Sequence, residues 1–342
     1  MLQPGLLRPA RSVRPGRSRW YAIGTLVLAS VLLYLAVRGV DLTQVVDVLR
    51  RSRIDLLLAA CMVLSVSYFV RGLRWRILLS AERWLPPIQV FAGTMVGYLG
   101  NNFLPARAGE LVRTVLLGRS ADLSSGFILG TIFTERLIDV VAVVVLGGGA
   151  LLSLESLMPA WMPDAVRGVG VAGLIVVAGL VLTVRGQNVI QQVLSRLPLS
   201  DTIRSRVVAL LRNFTSGVQA FRSTRRGLHL IGLTIVVWLL DSIVVMIVAQ
   251  ALALSLALPE ALFFVAALAL SSAIPSTPGY VGVYQFVAVT VLAPFGFSPS
   301  EALAHIIAFQ AVAYAAVTVW GLWGLWRLGA GKPQRAPSTQ RD

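Results

Sequence analysis

Hydrophobic positions along this chain come in long runs, not in the alternating pattern of strands. Trp20–Val37 is an uncharged run of 18 residues behind Arg8, Arg11, Arg14, Arg17 and Arg19. That length is close to the ~20 residues needed to span a bilayer. The site Val37-Arg38-Gly39 lacks the small-residue pattern of signal cleavage, so a retained first helix is expected. Asp41–Ser52 has a capping residue and apolar positions at 42, 45, 46 and 49, the pattern of a short amphipathic helix at the interface. Further runs cover Ile54–Val70, Ile88–Leu104, Leu123–Leu154, Gly168–Val184, Leu228–Leu258, Ala261–Ser300 and Ala302–Trp326. The expected fold is an all-α polytopic membrane protein with about six to eight transmembrane helices.

The placement of basic residues orients these runs. Arg71, Arg74, Arg76 and Arg83 follow the second run. Residues 185–227 carry eight arginines against Asp201 alone, with helical patterning around Val207, Leu210, Leu211, Phe214 and Val218. These segments, residues 106–119 and both termini are expected to be cytoplasmic; residues 38–53 and 153–166 are expected outside. Arg38, Arg50, Arg51 and Arg53 run against that assignment. On this map Ile88–Leu104 starts and ends inside. Its 17 residues reach roughly 25 Å as a helix, too short to cross twice. Ala261–Ser300 starts and ends outside and is broken by Pro275, Pro278, Gly279 and Gly282. Irregular backbone at membrane depth is tolerated only inside protein or beside a watery cavity. Two re-entrant hairpins facing one another are therefore expected, an arrangement that inverted repeats would produce. The domain plan is a basic tail (1–19), one membrane domain (20–328) and a second basic tail (329–342).

Composition agrees: 56% of residues are hydrophobic and 13% charged, against about 45–50% and ~25% in soluble domains. Thirty Lys+Arg against 15 Asp+Glu give a net charge of +15. In a membrane protein this excess belongs to cytoplasmic loops and anionic lipid, so no nucleic-acid partner is expected. Cys61 sits in an apolar run and reads as a small hydrophobe. The Trp320, Trp323 and Trp326 cluster reads as an interfacial belt, and His305 as a core histidine. No nucleotide, metal or hydrolase motif is present, so no cofactor, no ATP hydrolysis and no enzyme activity are expected.

Three constellations carry candidate chemistry. In Asn101-Asn102-Phe103-Leu104-Pro105-Ala106-Arg107-Ala108-Gly109-Glu110-Leu111-Val112-Arg113, a spacing of three groups Arg107, Glu110 and Arg113 on one helix face. Glu110 can pair with one arginine and leave the other for an anion, or the set is a salt-bridged interfacial helix. In Thr134-Glu135-Arg136-Leu137-Ile138-Asp139, ionisable groups lie inside a span. Such charges face the protein interior and are functional by default, although an ion pair locking helices together is the alternative. In the segment from Pro275 to Gln285, Ser276, Thr277, Tyr280 and Tyr284 offer neutral polar contacts. A half-helix from Gly282 would aim its amides inward toward an anion, or the segment is a plain loop. Asp241 stands alone in an apolar run, either as a proton-coupling carboxylate or as an arginine's partner.

NNFLPARAGELVR, TERLID and PSTPGYVGVYQF, in that order, resemble the three signatures of the lysylphosphatidylglycerol synthase transmembrane-region (flippase-like) family, from about residue 20 to 328. The resemblance implies a lipid translocator, for an anionic phospholipid or a polyprenyl-linked lipid, in the plasma membrane. It points to Asn102, Pro105, Arg107, Gly109, Glu110 and Arg113, to Glu135, Arg136 and Asp139, and to Pro275, Pro278, Gly279, Gly282 and Tyr284. Gln285 stands where the family usually has an acidic residue, which puts a role for that carboxylate in doubt. The short tail after the last run leaves no room for a synthase domain, so lipid aminoacylation is not expected. Partners implied are lipids with anionic head groups, with an envelope-biosynthesis enzyme as the rival context: a scaffold or accessory subunit rather than a transporter.

Overall fold

The computed structural model describes residues 15–104, 108–154, 224–272 and 277–329, with 164, 168 and 171. The expected span Gly168–Val184, nearly all of the loop 185–227, the 155–164 connection apart from Asp164, and the two tails (1–14 and 330–342) lie outside the described residues. So do Pro105, Arg107, Pro275 and Ser276.

The described chain is helical throughout. Helix α1 is Pro15–Val37, α2 Leu42–Arg50, α3 Ile54–Leu79, α4 Pro87–Phe103 and α5 Gly109–Ala121. Helix α6 (Ser125–Ala142) runs through a π-helical segment, Val143–Gly147, into α7 (Gly148–Leu154). Then come α8 (Thr224–Ala251), α9 (Leu258–Ser271), a 3₁₀ turn at Pro278–Tyr280, α10 (Val283–Leu292) and α11 (Pro299–Gly329). By length and composition five stretches can cross a membrane, or six if the bent pair Leu26–Val37 and Leu42–Arg50 counts as one. That pair turns through 82°.

Local chemistry sets the boundaries. Asp41 caps α2 by accepting from the Thr43 and Gln44 amides at 2.9 and 3.3 Å. Ser124 does the same for α6 through the Phe127 amide. Leu104, which precedes Pro105, is extended (φ −100°, ψ 143°), so α4 stops there. Asp122 at φ 52° ends α5.

Contacts between elements define two ends of the molecule. The Arg53 amide bonds the Ala251 carbonyl, and the Asp41 amide bonds Ser300 Oγ. The starts of α3 and α11 and the end of α8 therefore share the 38–53 end. At the opposite end Arg83 donates to the Ala121 carbonyl at 2.7 Å, and Arg76 to the Leu85 carbonyl at 2.6 Å. Helix α4 enters from this second end and α5 returns to it. Helix α9 enters from the first end and α10 returns there. The α9 limb has 14 residues and α10 has 10. They reach only about 21 and 15 Å, short of a ~30 Å core. Pro278–Phe295, although long enough for a span, is thus the returning limb of a hairpin. The two hairpins face each other, and the Pro278–Tyr280 turn packs against α4.

Two expectations are corrected. The first hairpin is not folded within Ile88–Leu104: that segment is one continuous helix, and the charged helix α5 is its return limb. Their backbones nearly touch, with a Cβ on Gly100 falling 2.5 Å from Gly109 Cα. Glycines at the crossing permit this approach. The tryptophan belt is also only partly interfacial. Trp326 is exposed, but Trp320 and Trp323 pack edge-on to one another and against Phe91, and Trp320 Nε1 donates to Ser65 Oγ at 3.0 Å. His305 is a core residue as expected, its Nε2 lying 3.1 Å from the Val245 carbonyl between Phe264 and Phe297.

Candidate functional site

Helix α3 does not end at Val70. It continues to Leu79 because Arg71 and Arg74 point inward, one and two turns beyond Ser67 on a single stripe. These arginines are therefore not markers of a membrane face. Ser67 Oγ donates to Asp241 Oδ1 at 2.6 Å, and Arg71 binds the other oxygen of Asp241. Asp241 is thus an arginine's partner, on α8, the helix most extensively packed against α3. Arg74 is fully buried. Its Nη1 donates to Asp139 at 2.6 Å and to Thr234 at 3.4 Å, and its Nη2 to Glu135 at 3.3 Å.

Helix α6 supplies the carboxylates. Glu135 and Asp139 share a face at i, i+4, so both reach Arg74. The second oxygen of Glu135 receives Arg113 Nη2 from α5 at 3.1 Å. Arg136 lies on the rim, 3.5 Å from Asp139 and 3.2 Å from Glu110. Of the two arginines expected as partners for Glu110, Arg113 is not bonded to it. One turn separates them on α5, but Arg113 is drawn to Glu135, leaving Glu110 to Arg136. Arg107, the other residue of that expected trio, lies outside the described residues.

Arg113 is 1% exposed. Its guanidinium lies over the Trp75 ring at 4.6 Å, a cation–π contact. Trp75 is held by its own bond to Thr131 at 3.0 Å. Yet Arg113 Nε and Nη1 have no hydrogen-bond partner, and neither do Asn101 Oδ1 and Asn102 Nδ2 in the last turn of α4. Buried polar atoms are paired as a rule, so these orphans mark a place where a polar ligand would be satisfied. The arginine packs directly against α4 at Gly97, where a Cβ would come within 2.6 Å of Arg113 Cδ. Among the described residues the network joins three arginines (74, 113, 136) to three carboxylates (110, 135, 139), and Arg71–Asp241 stands beside it as a separate pair.

The opposing turn carries no charge. Gly279 O accepts from Tyr314 at 2.5 Å and from Gln310 Nε2 at 3.0 Å. Gln310 Oε1 accepts from Gln285 Nε2, and Gln285 Oε1 accepts the Gly282 amide, both at 2.7 Å. Helix α10 does begin after Gly282 as expected, but that amide is bonded to Gln285 and not available to an anion. Thr277 Oγ1 donates to the Val281 carbonyl at 2.9 Å, and the Tyr280 and Tyr284 rings stack at 4.7 Å. Gln310 and Tyr314 were not anticipated from sequence. Their spacing of four in an apolar helix was the available signal. Ser67, Arg71 and Arg74 carried the same kind of signal at spacings of four and three.

The family model for the lysylphosphatidylglycerol synthase transmembrane region matches residues 21–321. The chain belongs to this family. Of its curated relatives, the glycosyltransferase AglD of Haloferax volcanii is 28% identical over 348 residues, covering 91% of this chain and 55% of AglD. The UPF0104 membrane protein MJ1078 of Methanocaldococcus jannaschii is 27% identical over 222 residues, covering 65% of this chain and 90% of MJ1078. The chain thus spans only about half the length of the glycosyltransferase. No solved structure matches. The matched region includes every residue of the charged network and the whole of the neutral turn, so this member of the family carries both within its family domain.

Proposed function

We propose that this protein moves a lipid with an anionic head group, a phospholipid or a polyprenyl-linked lipid, between leaflets without hydrolysing ATP. The observation that carries the reading is Arg113: a buried guanidinium with two unpartnered N–H groups, at the point where α4 turns back. Guanidinium to phosphate is a strong, planar, two-point contact. Asn101 and Asn102 flank the same turn, and the acyl or prenyl tails would stay in the bilayer. The Arg76 and Arg83 end, which also carries Arg119, Arg225, Arg226 and Arg327, is the cytoplasmic face in this reading, in a plasma membrane and with both termini inside.

The test is a leaflet-resolved assay in liposomes with purified protein and fluorescent phosphatidylglycerol. Wild type is expected to equilibrate the lipid between leaflets. Arg113→Lys keeps the charge, loses the fork and should slow equilibration sharply while the fold survives. Arg113→Gln should do at least as much harm. An intact rate in Arg113→Gln, with a lowered melting temperature, would reassign Arg113 to structure.

A second reading has its own support. The balanced charges suit a locked interior, and one relative is named a glycosyltransferase. In this reading the protein is a non-transporting scaffold or accessory subunit for an envelope lipid or glycan enzyme. It expects no lipid movement by the purified protein under any condition.

A further inference from the structure

The charge balance of the network limits what it can accept. Glu135 is fully buried between Arg74 and Arg113, one guanidinium on each oxygen, and in that setting it is a carboxylate. A phosphate that engages the free Nη1 and Nε of Arg113 brings an extra negative charge beside it, at membrane depth and away from water. Among the described residues the surrounding groups do not supply a spare cation. On α3, Arg74 is already shared with Asp139, and Arg71 is committed to Asp241. On α6, Arg136 divides itself between Asp139 and Glu110, and Glu110 is the other charged group facing in from α5. Thr234 on α8 is bonded to Arg74, and Tyr98 on α4 packs its ring against Tyr68 of α3. The carboxylate that competes with the phosphate for Arg113 is Glu135.

We infer that this site takes up an anionic head group together with a proton, the proton residing on Glu135, so that the loaded site keeps the charge of the empty one. The proton comes from the aqueous phase on the side from which the lipid enters. It converts the Glu135 carboxylate to the acid and releases Arg113 to the phosphate. On the far side both leave and the Glu135–Arg113 pair reforms. Lipid movement is then coupled to proton movement and is electrically silent. The inference rests on the head-group reading of Arg113 and adds an energy source to it.

The decisive experiment is calorimetric titration of the full chain in detergent with dihexanoyl-phosphatidylglycerol, repeated in buffers of different ionisation heat. Wild type is expected to take up a proton per lipid bound, and its affinity should fall about tenfold per pH unit where the free site is ionised and the loaded site protonated. Glu135→Gln, a neutral stand-in for the acid, should bind at least as tightly, take up no proton and lose the pH dependence. Glycerol 3-phosphate should not bind; binding equal to the lipid's would overturn the lipid assignment. Binding by wild type without proton uptake overturns the coupling and leaves translocation standing. Failure of wild type to bind at any pH overturns both. Proton uptake that survives in Glu135→Gln overturns the choice of Glu135. Should that variant not fold, wild-type proteoliposomes with a trapped pH dye replace it: an imposed pH step must then drive phosphatidylglycerol across, and an unresponsive lipid distribution refutes the coupling.

Discussion

The two hairpins occupy matching positions from opposite ends of the molecule, yet they are held by different chemistry. The α4–α5 hairpin is tied to α6 by the buried Arg113–Glu135 pair and the half-exposed Glu110–Arg136 pair, and α6 in turn to Arg74 of α3. The α9–α10 hairpin is tied to α11 by amides, a phenol and a backbone carbonyl. A buried ion pair exchanges desolvation for Coulomb energy and leaves little net stability, but losing one partner is severe. A neutral network loses far less when one member goes. The charged hairpin is thus sensitive to any change in charge nearby, whereas the neutral one behaves as a fixed wall.

Arg74→Leu is the hardest blow to this contrast. It leaves Glu135 with Arg113 alone and Asp139 with only the longer contact to Arg136, and should cost about 3–5 kcal/mol, seen as loss of folded protein or a large drop in melting temperature. Gly97→Ala acts on the same side by shape. Its methyl would meet Arg113 Cδ at 2.6 Å, pushing the guanidinium off Glu135. About 1–3 kcal/mol and most of the lipid movement should be lost together, measured by melting and by the liposome assay. Tyr314→Phe probes the neutral side. Gly279 O keeps its bond from Gln310, so melting should report only about 0.5–1.5 kcal/mol, with translocation nearly intact. If Tyr314→Phe proved as damaging as Arg74→Leu, the contrast between the hairpins would fail. Asp55→Asn sharpens it from outside: the Arg53–Asp55 pair is exposed, 65% and 64%, and its loss should leave the melting curve unchanged.

The two hairpins and their opposite entry were legible because proline, glycine and long apolar runs act locally. Pro105 stops α4, and Gly282 at φ 89° starts α10 where a Cβ would strike the Ala29 carbonyl. The inward direction of Glu135, Arg136 and Asp139 was legible from the cost of charge in a span. The role of α3 was not. Arg71 and Arg74 look like topology markers when read along the chain, since nothing local says that Asp139, Glu135 and Asp241 wait for them 61 to 170 residues away. The Glu110–Arg136 pair was hidden for the same reason: helical spacing brings Glu110 near Arg113, and tertiary packing takes that arginine to Glu135. The family resemblance names these residues but does not say how they pair.

The π-helical stretch at Val143–Gly147 has a consequence for how this domain tolerates insertion and deletion. An α-helix advances about 100° per residue, and a π-turn absorbs one extra residue. The five-residue widening therefore sets the angular phase between the Glu135–Asp139 face upstream and the surface downstream, where Gly147 lets Ala266 of α9 come close. Removing a single residue here would restore an unbroken α-helix with the two faces still in phase, whereas removing one from the regular helix on either side would swing a face away by about 100°. Adding one in an exposed connection would swing neither. The stretch works as a buffer of phase, the one place in this helix where the residue count can change by one while the two faces keep their relative direction.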